Sequence, residues 1–228
     1  MPFFPYCPGI GRLENGDCVF VQAFGRNAIS DKDLGKTLWK IISRSGSLDE
    51  TFTLLLYSGF NPGRANEALA RKAISLAKKY QIPIIAQWEI VYCIWQDERS
   101  WFFDNQEEID CLWPPEFGYF ATWHVKLASC ERMRKRKKLT PIELCHPAMV
   151  GRAVPIIWKM KIGLVVEGVS VLDFWKDELW VWDKDSVQSW TRSFVSFLSL
   201  KEGWLPREVL GRYAHHLVKG WVSFVPPV

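Results

Sequence analysis

"TFTLLLYSGFNPGRANEALARKAISLAKKYQIPIIAQ" (Thr51–Gln87) is the stretch on which the fold turns. It opens with an apolar run, Thr51–Tyr57, short and rich in strand formers, which reads as a buried strand. A polar loop follows, with Ser58, Gly59, Asn61, Pro62, Gly63 and Arg64. Leu69, Ala73, Leu76 and Ala77 then recur at helical spacing between Asn66 and Tyr80, with Glu67 on the first turn. "PIIAQ" (Pro83–Gln87) is a second apolar run of strand length. Strand, helix and strand in succession build a parallel sheet.

The alternation extends in both directions. "CVFVQAF" (Cys18–Phe24) reads as a buried strand ended by Gly25. A helix capped by Ser30 or Asp31 and carrying Leu34, Leu38, Ile41 and Ile42 is expected to stop at Gly46. "WEIVYCIWQ" predicts a helix on Trp88, Val91, Tyr92 and Trp95. Further strands are expected at "PIELCH" (Pro141–His146) and "IGLVVEG" (Ile162–Gly168), with a short edge strand at "ELWVW". Helices are expected over about 121–137, 149–161, 186–200 and 206–219, the last opened by Pro206 and closed by Gly220. Residues 98–120 mix acids, aromatics and a Pro-Pro pair, and read as an irregular insertion or lid. The expectation is one α/β domain of 228 residues with a mainly parallel sheet covered on both faces. Its core spans about 18–168, and a helical extension spans about 186–221.

Bulk properties narrow the function classes. Hydrophobic residues make up 48% of the chain, enough for a real core. The net charge of +4 owes much to Arg132–Lys138, which falls at a helix C-terminus, where cations complement the macrodipole. The thirteen tryptophans sit at core spacings and do not interleave with that run, which argues against nucleic acid as a partner. Cys7, Cys18, Cys93, Cys111, Cys130 and Cys145 form no CxxC pair and no zinc spacing, so a metal site is not expected and a reducing, cytoplasmic setting is. The N-terminus is broken by Pro2, Pro5 and Pro8 and lacks a basic start, so no secretory signal is expected. No window approaches the ~18 apolar residues of a spanning helix.

In open α/β sheets ligands bind at the carboxyl ends of the strands, where strand order reverses. The residues placed there are Gly25, Arg26 and Asn27; Ser58, Gly59, Asn61, Gly63, Arg64, Asn66 and Glu67; Gln87 and Glu89; and His146, Met149 and Arg152. Gly59 and Gly63 let the backbone turn sharply or approach a ligand. The amides opening the next helix favour an anion, and Arg64 adds a bidentate grip. The loop is neither a Walker loop nor a GxGxxG turn, and the same residues also serve an ordinary turn and helix start. Glu89 suits a base or a ligand to a hydroxyl, and equally a structural ion pair. His146 suits acid/base work near neutrality, and equally a packed core position. His215 and His216 are adjacent on a helix and do not form a metal pair, and no GxSxG elbow occurs.

"FVQAFG", "LLLYSGFNPGRANEA", "QIPIIAQWEI" and "ELCHPAMVGRA" together resemble the YdcF/SanA/ElyC family over roughly Cys18–Gly168. Ser58 and Gly59 fill the first two places of its SGG-like turn, with Phe60 in place of the second glycine. Glu67 and Ala68 match the residues opening its helix, Glu89 its glutamate after the third strand, and Arg152 with Ala153 its later Arg-Ala. Met149 stands where the family has histidine, and "VYCIWQDE" replaces the polar pattern after Glu89. The resemblance implies a Rossmann-like, doubly wound domain with a cleft at the strand ends and a role in bacterial cell-envelope biogenesis. It implies a nucleotide-like or phosphorylated ligand, with S-adenosylmethionine as another candidate. Glu89, Glu67 and His146 would then be the catalytic candidates. Ser58, Gly59, Asn61, Gly63, Arg64, Asn66, Gln87 and Arg152 would bind the small anionic ligand. The departures at polar positions leave a second class open, a non-enzymatic interaction module using the aromatic-rich segments 98–120 and 171–190 to hold a protein partner.

Overall fold

The computed structural model describes residues 12–27, 38–114, 122–149, 165–166 and 179–199. Its centre is a sheet of β1 (Cys18–Val21), β2 (Ile84–Gln87), β3 (Ile109–Leu112), β4 (Pro141–Leu144) and β5 (Val165–Val166). The strand order is β3-β2-β1-β4-β5, and every pairing is parallel. The fold is α/β and Rossmann-like, with β1 central and the order reversing beside it. Around the sheet lie α1 (Leu48–Tyr57), α2 (Arg64–Tyr80), α3 (Trp88–Asp97), α4 (Arg99–Asp104), α5 (Thr122–Lys135) and α6 (Phe194–Leu198). No described helix is long and apolar enough to cross a membrane.

The alternation of side chains places two helical layers on opposite faces. Val19, Ile84, Ile109 and Ile142 occupy one register row. Val19 and Ile84 belong to the same packed cluster as Leu69 and Ala73 of α2 and Ile90 and Val91 of α3. Phe20, Ile85, Asp110 and Glu143 form the adjacent row. Successive residues of a strand face opposite ways, so this row meets α5, whose Lys126 amine lies 4.2 Å from the Phe20 ring centroid. Every residue of β1, β2 and β4 is buried, which accounts for their nearly unbroken apolar sequences.

Sequence expectations are corrected at several places. Thr51–Tyr57 is helix, not strand. Ser47 caps it by accepting the Glu50 N–H at 3.2 Å, and the Glu50 carboxylate accepts the Gly46 N–H at 2.8 Å. These two N-terminal hydrogen bonds outweigh the strand propensity of two threonines and a phenylalanine. Thr51, Phe52 and Leu55 are buried, while Leu54, Leu56 and Tyr57 are exposed, as on a one-sided helix. The missing strand is β3, inside the segment read as an irregular insertion. It survives as an edge because Ile109 and Leu112 are buried while the Asp110 carboxylate takes the Arg136 guanidinium. Residues 179–182, the described part of the edge strand expected at "ELWVW", hold no strand, and of the helix expected over 186–200 only Phe194–Leu198 is α-helical. The helix over 149–161, the C-terminal helix over 206–219 and the cap at Ser30 or Asp31 lie outside the described residues.

Aromatic rings fill the layer between α1, α3 and α4. Phe60 and Trp88 lie 4.8 Å apart, Trp88 stacks on Trp113 at 5.9 Å, and Phe52 meets Tyr92 edge-on at 5.7 Å. This accounts for part of the tryptophan content in packing terms. Phe102 and Trp113, both within 98–120, belong to this core.

Candidate functional site

The chain leaves β1 through Gln22–Asn27, and buried amides hold this exit loop. Gln87 Oε1 accepts the Ala23 N–H at 2.7 Å. Asn66 Oδ1 accepts the Phe24 N–H at 2.8 Å, and Asn66 Nδ2 donates to the carbonyls of Gly25 at 2.8 Å and Pro62 at 2.7 Å. Asn66 is fully buried. Both residues, expected to touch ligand, hold the backbone of the loop that a ligand would meet.

The loop before α2 is joined to the same edge. Asn27 N–H donates to the Asn61 carbonyl at 3.1 Å, and Asn61 Oδ1 accepts the Gly63 N–H at 2.8 Å. Gly63 has φ 86° and ψ 152°, a conformation almost confined to glycine. A β-carbon there would lie 3.1 Å from Asp183 Oδ2 and 3.4 Å from Asn27 Oδ1.

Asp183 is the residue that sequence reasoning missed. Its Oδ2 accepts the Arg64 N–H at 2.9 Å and Asn27 Nδ2 at 2.7 Å, and its Oδ1 accepts the Asp185 N–H at 3.1 Å. A carboxylate therefore sits on the first turn of α2, where the helix dipole and an unsatisfied amide favour negative charge. Arg64 lies 119 positions away in the chain, so nothing local in the sequence announces the contact. The available signal was "WVWDKDS", an acid directly after an aromatic pair and opening a polar turn.

Arg26 and Glu89 face each other on this edge at 3.6 Å, both largely buried. Glu67 is half-buried on the first turn of α2, and the Arg64 side chain is exposed. Ser58 and Gly59 are exposed and follow the helix α1 instead of a strand end. Ser58 Oγ donates to the Leu55 carbonyl at 2.7 Å. Arg152 lies outside the described residues. The structure thus gathers Arg26, Asn27, Gly63, Arg64, Asn66, Gln87 and Glu89 on one edge, with Ser58 and Gly59 at the end of a helix.

His146 fills the crevice where the strand order reverses. Its ring stacks on Phe24 at 3.8 Å and meets Trp182 at 4.8 Å and Trp180 at 5.4 Å. Its Nδ1 accepts the Ala148 N–H at 3.2 Å. Burial pushes its pKa down to about 3, against a smaller opposing pull from the Val181 backbone. The imidazole is therefore neutral at physiological pH and closed to solvent. Met149 is buried, and its N–H donates to the His146 carbonyl at 2.7 Å.

At the opposite, amino edge of the sheet a cavity of roughly 490 Å³ is lined by Lys78, Gln81, Ile82, Ile84, Trp101 and Asn105, among others. Among the described residues no three His, Cys, Asp or Glu side chains group as ligands for a metal. The Arg64 N–H at the start of α2 and Asn27 Nδ2 from the β1 exit loop both donate to the Asp183 carboxylate.

A scan against protein-family models finds no match, and searches of the curated proteins and of the solved structures find none either.

Proposed function

We propose that the chain binds a nucleotide-like or phosphorylated metabolite at the carboxyl edge of its sheet, on the first turn of α2. The observation that carries this reading is the convergence of Arg64 N–H and Asn27 Nδ2 on one carboxylate at the start of a 17-residue helix. A phosphate oxygen suits the same donors and the same dipole. The exposed Arg64 guanidinium adds a second grip on the anion. Glu89, beside Arg26, accepts from a ligand hydroxyl or takes a proton from it, with Glu67 on the neighbouring turn. The likeness to the YdcF/SanA/ElyC family supports a bacterial cell-envelope setting and adds S-adenosylmethionine to the candidate ligands.

A thermal-shift screen with nucleotides, S-adenosylmethionine and polyprenyl phosphates tests it, since a specific ligand raises Tm by mass action. Arg64→Ala should keep the Tm of the free protein and abolish the ligand-induced rise. No rise with any of these ligands would defeat the reading.

The sealed crevice favours a second reading, a non-enzymatic interaction module. Phe24, His146, Trp180 and Trp182 occupy with their own rings the volume that a substrate would take. On that reading Glu89→Gln leaves every function of the chain intact, and only changes in its aromatic segments lose a partner.

A further inference from the structure

We propose that residues 179–199 form an internal strap whose Asp183 carboxylate stands in for the ligand anion, so that ligand binding requires the strap to lift. This rests on the ligand-binding reading above and adds to it a mode of regulation.

The strap meets the site at three levels. Trp180 and Trp182 close over His146 and Phe24, and Trp182 packs in turn on Phe197 at 5.8 Å. Asp183 holds the first turn of α2 and Asn27. Val187 N–H and Ser186 Oγ both donate to the Arg26 carbonyl, at 2.9 and 3.1 Å, and Ser186 pairs with Asn27 as an isolated bridge. Thr191 Oγ1 donates to Ser186 Oγ at 2.6 Å and locks the turn.

Two features mark the carboxylate as a substitute. It places negative charge where the helix terminus and an amide donor already point, as a bound phosphate would. It also leaves one group of the site unserved. Asn27 is 8% exposed, and its Oδ1, beside Gly63, accepts no hydrogen bond. A carboxylate has no proton to offer it. A protonated phosphate oxygen or a ribose hydroxyl does, so a ligand can satisfy both Asn27 atoms where Asp183 satisfies one. The unmade bond favours exchange, because a buried acceptor without a donor costs free energy that a better occupant recovers.

The strap holds by the Asp183 charge and by aromatic rings on either side of it, so removing the charge should loosen that point while the rings remain. If the site is open for about a tenth of the time in the wild type, freeing it tightens apparent affinity about tenfold.

The test compares the full wild-type chain with Asp183→Ala by calorimetric titration of inorganic phosphate and of adenosine monophosphate, with hydrogen exchange followed at amides 183–192. The expected result is about tenfold tighter binding by Asp183→Ala, and faster exchange of those amides in the wild type when ligand saturates it. Asp183→Asn, which keeps the shape and removes the charge, supplies the same comparison if the alanine variant does not fold. If the wild type binds and neither variant binds more tightly, the strap inference falls and the ligand reading stands. If no chain binds either probe, the strap inference falls, and the ligand reading is decided by the thermal-shift screen.

Discussion

On the α2 side of the sheet the register row Val19, Ile84, Ile109 and Ile142 is wholly apolar; on the α5 side the next row, Phe20, Ile85, Asp110 and Glu143, carries two carboxylates. The same strands supply both rows, one residue apart. The apolar face needs no partner chemistry and is held by area and fit. The α5 face places each acid against a cation of the α5 region, Asp110 against Arg136 and Glu143 against Lys126. The second pair is fully buried, and burial lowers the Lys126 pKa and raises that of Glu143. The apolar row fits its helices by shape alone, whereas a buried ion pair must also meet its partner. The difference assigns packing strength to one face and helix placement to the other.

The sharpest way to break this contrast is Lys126→Ala, which strands a buried carboxylate. It should cost about 3–5 kcal/mol by denaturant unfolding. Lys126→Met combined with Glu143→Leu should recover that loss, because an apolar pair needs no compensation. A single variant that loses under about 1 kcal/mol would show that the pair does not hold the face.

Next in size is Asn66→Ala, on the edge fed by the apolar face. It orphans the Phe24 N–H and the Gly25 and Pro62 carbonyls and should cost about 3 kcal/mol. Amides of residues 23–27 should then exchange faster than those of β1.

A third effect comes with acid. Unfolded His146 takes a proton near its ordinary pKa of 6.5, and the folded residue only near about 3. Its contribution is therefore whole at neutral pH and is lost as pH falls from 6.5 toward 3. At pH 5 the loss should be about 2 kcal/mol, and His146→Phe should flatten that part of the stability profile. A profile unchanged by the substitution would mean that the ring is not sealed.

The smallest effect belongs to the exposed pair of Lys78 and Glu98, 3.1 Å apart with both side chains more than 40% exposed. Lys78→Ala should move stability by about 0.5 kcal/mol and less at high salt, the counterpoint to Lys126.

How much of this was legible in sequence varied by element. β1, β2 and β4 were read correctly because strands buried on both faces are continuous apolar runs. α2 and α3 declared themselves by period. Thr51–Tyr57 failed because its apolar run matched strand length, and its helical nature lay upstream of the run, in Ser47 and Glu50. β3 failed because an edge strand with Asp110 and Cys111 half-exposed has no apolar run to show. At the site, the strand-end rule named Asn27, Gln87 and Glu89, and named Asn66 only through a run that is in fact helix α1, without their division of labour. Asn66 spends its hydrogen bonds on the backbone and Gln87 Oε1 takes the Ala23 N–H, and that is decided by three-dimensional distance. Asp183 was out of reach for the same reason.

The thiols bear on how the molecule can be watched in solution. Burial raises the pKa of Cys18 in β1, Cys93 in α3 and Cys130 in α5, so each stays protonated and screened from reagents while its layer is closed. One cysteine lies in the central strand and one in a helix on each side of it, giving three native clocks. Alkylation rates at the three positions would time the opening of the sheet and of its two helical layers separately.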